Sequence, residues 1–191
     1  MAIKGFTLLE LVIVIGILAI LGTVTVLVLN PAQFFAQGRD ATRFQDLSNL
    51  NGALATYLAT VTGPDMDGGT NSCSTLCYVG ASGVAANCGG RHGTKTTTED
   101  LTREVDGNGW VPVNLGAIPG GAPLAILPID PINDATYFYS YACDNTAKTF
   151  ELDANLESAR YANTGTDDKE SKDGGTDADV YELGTAPGLS L

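Results

Sequence analysis

Leu11 to Leu29 is a run of 19 residues without a charged side chain. As a helix rising about 1.5 Å per residue it is roughly 28 Å long, which matches a hydrocarbon core of about 30 Å. No other segment of the 191 residues comes close, so the chain reads as single-span and not as a multi-pass transporter. A buried core helix rarely runs this long with apolar residues on every face. A secretory signal peptide has a shorter apolar stretch and a small-residue cleavage site. Thr23-Val24-Thr25 matches that poorly, and the helical pattern continues past it. A plain membrane anchor explains the length. Lys4 precedes the span, so the positive-inside rule keeps the first residues cytoplasmic and exports everything after Asn30.

A plain anchor does not explain Glu10. A carboxylate in an apolar span costs on the order of 2.5–3.5 kcal/mol at mid-membrane and less near the interface. Such a residue calls for a cation at its own depth. A free α-amino group on Phe6 would be one, if the chain were cut after Gly5.

Lys4-Gly5-Phe6-Thr7-Leu8-Leu9-Glu10 resembles the class III signal of type IV prepilins and type II secretion pseudopilins. The resemblance implies cleavage between Gly5 and Phe6 by a prepilin peptidase, N-methylation of Phe6, and Glu10 as the assembly glutamate. It implies a pilin fold, an α+β head in which a long N-terminal helix packs on a small antiparallel sheet. It also implies self-association, other pilin-like subunits and an inner-membrane assembly platform as partners.

Beyond the span, Pro31 either kinks one long helix at Asn30-Pro31 or starts a second one, and Gly38 is a further weak point. Phe44, Leu47, Leu50, Leu54, Leu58 and Val61 recur at three and four, which makes an amphipathic stripe. Arg39, Asp40, Arg43, Gln45, Asp46, Ser48, Asn49 and Asn51 are read as the solvated face. Thr62-Gly63-Pro64 is the stop signal. The division is a leader over 1–5, an apolar helix over 6–30, an amphipathic half over 31–62 and a head over 63–191.

Residues 63–109, rich in Gly, Thr, Ser, Asn and Asp, read as a long loop with little regular structure. It carries Cys73, Cys77 and Cys88; the fourth cysteine is Cys143. In an exported head four cysteines point to two disulfides with three possible connectivities. The rival is zinc: Cys73-x3-Cys77 and Cys88-x3-His92 supply three sulfurs and the single histidine at finger-like spacing. An exported head and an unpaired Cys143 count against it.

Trp110-Val111-Pro112-Val113 reads as a short edge-like segment. Ala135–Cys143 reads as a strand with Tyr137, Tyr139 and Tyr141 on one face and Phe138 opposite. Lys148–Ala154 is the return strand and Val180–Leu183 a third, which predicts three or four antiparallel strands. The tyrosine row is either a stacking surface or, by the ordinary behaviour of strand tyrosines, packing. Leu127-Pro128-Ile129-Asp130-Pro131 followed by this strand looks like the major pseudopilin head, although Ile132-Asn133-Asp134 replaces that family's aromatic and glycine.

The formal charge is −12, and residues 151–191 hold ten acids against three bases. Nucleic acid is therefore not an expected partner. The acidic loop over 164–179 is similar to the calcium loop of major pseudopilins. On that resemblance Asp168, Asp177 and Asp179 would be ligands, with Asp173 a further candidate; otherwise the segment is a solvated acidic loop. One histidine, with no Ser-His-Asp or Cys-His-Asn setting, points away from an enzyme. The reading is a subunit of a helical extracytoplasmic filament, processed after Gly5 and first held in the cytoplasmic membrane with its head outside. The alternative is a single-pass anchored module that binds calcium or another ligand.

Overall fold

A computed structural model describes residues 5–191; Lys4 and most of the leader lie outside the described residues. Helix α1 spans Leu8–Leu29 and α2 spans Pro31–Thr60. The break is local. Asn30 adopts a left-handed conformation (φ 42°), and Pro31 opens α2 at its first turn, where its missing N–H costs nothing. Of the two readings of Asn30-Pro31, the second helix is the one adopted. Gly38 does not interrupt α2.

Strands β1 (Leu76–Val79), β2 (Thr96–Glu99), β3 (Tyr139–Asp144), β4 (Thr149–Ala154) and β5 (Tyr181–Gly184) form one sheet in the order β2-β1-β3-β4-β5. Only β1–β2 is parallel; the other pairs are antiparallel. The arrangement is α+β, consistent with the pilin fold. Two strands therefore lie in the segment read as loop. Four-residue strands such as Thr96–Glu99 carry almost no apolar alternation, so pairing and not pattern creates them. Trp110–Val113 forms no strand; Trp110, Val111 and Val113 are instead core residues, with Trp110 Nε1 donating to the Pro128 carbonyl. Strand β3 starts at Tyr139, so Tyr137 falls before it.

Alternation gives the sheet two buried faces. On the α2 face, Tyr139, Tyr141, Phe150, Leu152 and Ala154 meet Leu47, Leu50, Ala53, Leu54 and Tyr57. The tyrosines thus pack; Tyr141 donates to the Met66 carbonyl and Tyr139 to Asp46. Phe44 stands edge-on to both Tyr161 and Tyr181, at centroid distances of 5.3 and 4.9 Å. On the other face, Cys77, Val79, Ala81, Cys88, Phe138 and Ala142 form a second, smaller core. The cover here is the chain from Ala81 to His92, and one disulfide, Cys77–Cys88, staples it down. The other disulfide, Cys73–Cys143, joins the segment before β1 to β3 within the α2-side core.

Leu50 is fully buried between helix and sheet. Leu50→Ala is expected to cost about 2–5 kcal/mol in denaturant unfolding. The disulfides close loops of different length, with sequence separations of 70 and 11. Replacing Cys73 and Cys143 by serine is expected to cost about 4 kcal/mol, and replacing Cys77 and Cys88 about 3 kcal/mol. Calorimetry of the two double variants checks the order.

Candidate functional site

At the amino end, Thr7 caps α1: its Oγ1 accepts from the Glu10 amide at 3.2 Å. Glu10 is thus the third residue of the helix, where the positive end of the helix dipole favours a carboxylate. Every α1 side chain described is exposed, including Leu8, Leu9, Ile13, Ile17 and Ile20. Phe6 is 78% exposed. Thr23 and Thr25 return their hydroxyls to the carbonyls of Ala19 and Leu21, so no polar group of theirs is left unmade. Among the described residues this is the one helix long and apolar enough to cross a membrane.

Helix α2 meets the head through charge as well as apolar contact. Arg43 and Asp40, read as solvated, are completely buried. Arg43 grips Asp130 with two parallel bonds, Nε to Oδ2 at 2.6 Å and Nη2 to Oδ1 at 2.9 Å. Its Nη1 donates to Asp40 Oδ1 at 2.7 Å and to Glu157 Oε2 at 3.4 Å. Asp40 in turn accepts from the amides of Glu157 and Ser158. Arg39 closes on Glu157 from the helix edge. Burial works against the Arg43 charge, but bonding to Asp130 and then Asp40 outweighs it and raises its pKa above the ordinary value. The Arg39 hydrogen bond holds the Glu157 carboxyl below its ordinary range. Three-and-four spacing alone cannot reveal this, because the partners lie 87 and more than 110 residues away.

The acidic loop spends its carboxylates locally. Asp168 accepts from the amides of Thr164 and Ser171 and from the Ser171 hydroxyl, and the hydroxyl bond chiefly lowers its pKa. Asp173 accepts from Gly175 and Glu182, Asp177 from Asp179, and Asp179 from Asn163. Asp168 and Asp173 line one cavity together with Thr166, Lys169 and Lys172. Among the described residues, one group of three or more His, Cys, Asp or Glu side chains lies close enough to hold an ion together, and it contains none of them. Glu170, which the sequence does not flag, is 4% exposed and accepts from the amides of Leu156 and Asn163.

The finger-like zinc set does not assemble. Its three sulfurs are committed to disulfides, and thiolate ligands are what zinc requires. His92 instead turns under the sheet to β4. Its Nε2 lies 3.0 Å from Ser140 Oγ and 3.1 Å from Asp153 Oδ2, while Nδ1 lies 3.9 Å from Glu151 Oε1. Glu182 of β5 is paired opposite Asp153. Burial, then the Arg91 and Lys95 charges, lowers the His92 pKa to about 3. Burial raises Asp153 well above its ordinary value, with the Glu151 charge second, and lifts Glu182 to about 7. A Cβ at Gly175 would push against the Glu182 carboxylate beside this group.

Residues 1–26 match the family model described as the prokaryotic N-terminal methylation motif. The chain therefore carries a prepilin-type signal at the head of a helix long and apolar enough to cross a membrane. No match was found among curated proteins or among solved structures.

The Glu157 contribution has a defined pH sense. Its folded pKa is depressed, so its stabilisation is complete above the unfolded value of 4.5 and is lost as pH falls through the lower folded value. At neutral pH Glu157→Gln is expected to be less stable than wild type by about 1–2 kcal/mol. The difference closes toward pH 3, read by urea titration of both proteins.

Proposed function

We propose that this chain is a structural subunit of a helical extracytoplasmic filament, of the type IV pilin or secretion pseudopilin kind. The observation that carries the reading is the contrast between the two helices. Helix α2 is welded to the head by an apolar face and a buried ion network, whereas among the described residues α1 contributes no buried side chain to this chain's own core. A surface of exposed Leu, Ile and Val this large needs a non-aqueous partner. Lipid serves before assembly, and α1 helices of neighbouring subunits serve after it.

The leader, residues 1–5, is then removed by a prepilin peptidase and Phe6 becomes the methylated amino terminus. Two features support this. A Cβ at Gly5 would meet nothing within 4 Å, so the fold itself does not require glycine there. Phe6 stands exposed at the tip. The precursor has its amino end inside and its head outside. In the filament Glu10 meets the terminal amine of a neighbouring Phe6. A carboxylate in a dry helix bundle strongly prefers a paired state, so a subunit out of register is penalised.

Intact-mass and amino-terminal analysis of membrane and sheared surface fractions tests this. A start at N-methyl-Phe6 in the sheared fraction is expected. A start at Met1, confined to the membrane, would instead make the chain an anchored ligand-binding module. Glu10→Ala is expected to insert normally yet fall at least about tenfold in the sheared fraction; undiminished incorporation would sink the role given to Glu10.

A further inference from the structure

We propose that His92, through Nδ1, and Glu151 bind one divalent cation of the zinc class, with Asp153 orienting the imidazole from its far side, on the covered face of the sheet and apart from the acidic loop. This is independent of the filament reading. The three side chains are at most 1% exposed, and their ligand atoms lie within 4.8 Å of one another. Two of their buried atoms, His92 Nδ1 and Asp153 Oδ1, have no hydrogen-bond partner. A buried polar atom left without a partner costs roughly 1–3 kcal/mol, and here two occur in one group of potential ligands.

The geometry selects the nitrogen. Nε2 is taken up by Ser140 Oγ and Asp153 Oδ2, the orienting arrangement that ligating histidines commonly have on the nitrogen facing away from the metal. Nδ1 is left, and Glu151 Oε1 faces it at 3.9 Å. That is too long for a hydrogen bond. It suits two ligands of one ion with bonds of about 2.0–2.2 Å. The second Glu151 oxygen is held at 2.7 Å by the Leu191 amide, which fixes the carboxylate's orientation.

Charge points the same way. Glu151, Asp153 and Glu182 are all buried here. The cations nearby are Arg91, which donates to the Phe138 carbonyl and stacks on the Phe138 ring, and Lys95, which donates to the Cys73 carbonyl. Neither makes a salt bridge to these carboxylates, so a bound cation would be their direct counter-charge in a dry site. An imidazole nitrogen with few oxygens suits zinc; calcium asks for six to eight oxygens. The Cys77–Cys88 staple holds the covering loop closed over the group.

His92 is the only histidine, so histidine labelled with 15N reports a single imidazole. The full-length chain in detergent is unfolded in urea with its disulfides intact. It is then refolded at pH 7 either metal-free or with one equivalent of zinc. The expected result is a displaced Nδ1 resonance in the zinc refold and one zinc per chain surviving gel filtration and a calcium chase. An Nδ1 resonance identical in both refolds overturns the proposal, even if zinc co-purifies, because that zinc would lie elsewhere, for instance on the acidic loop. Displacement by equimolar calcium overturns the zinc class. Glu151→Gln and Asp153→Asn are expected to retain zinc at least about tenfold more weakly. Should either fail to fold, the wild-type resonance still decides.

Discussion

Arg43 is the point on which the head is hung. Its guanidinium joins helix α2 to Asp130 and Glu157. A buried ion pair adds little net stability, because desolvating the charges offsets their attraction. Its effect is positional. The fork of Nε and Nη2 accepts the Asp130 carboxylate in one orientation only. Asp130 in turn receives the amide of Ile132, so the same carboxylate shapes the turn that leads to β3. Asp40, one helical turn before Arg43, holds the amides of Glu157 and Ser158. The rotation of α2 about its axis is set by this polar group as much as by the leucine stripe.

With α2 placed, the sheet has one face committed to it, and the opposite face must find another cover. A 12-residue loop, 81–92, supplies it, and the Cys77–Cys88 disulfide keeps that loop in place. The consequence is chemical. Glu151, Asp153 and Glu182 occupy alternate strand positions that in a two-layer domain would face water. Here they are sealed beneath His92 and Arg91, in a setting where unpaired atoms are costly and a cation is well received.

The two helices therefore divide the labour of the molecule. The α2 half belongs to the head, and its polar contacts make the head a rigid body. The α1 half, exposed at every side chain described, presents its apolar surface outward. The break at Asn30-Pro31 falls where the exposed helix gives way to the one packed on the head.

The apolar run, Gly5-Phe6 and Glu10 are local features, and local features survive in a one-dimensional reading. A helix that must satisfy all its backbone bonds in lipid advertises itself by composition alone, and a processing signal is read by an enzyme as a short motif. The stripe of Leu47, Leu50 and Leu54, the β3–β4 hairpin and β5 were legible for the same reason, since burial there follows a period of three to four or of two. What only the tertiary structure decided is every contact whose partners are far apart in the chain. Cys73 found Cys143 and not Cys77; Asp40 and Arg43 turned inward because Asp130 and Glu157 were waiting; Thr96–Glu99 became a strand because β1 offered an edge. His92 left its cysteine neighbours for Asp153 and Glu151. A charged residue looks solvated in sequence because its cost of burial is known and its compensation is not. That compensation is a second charge brought close by folding, and no spacing along the chain records it.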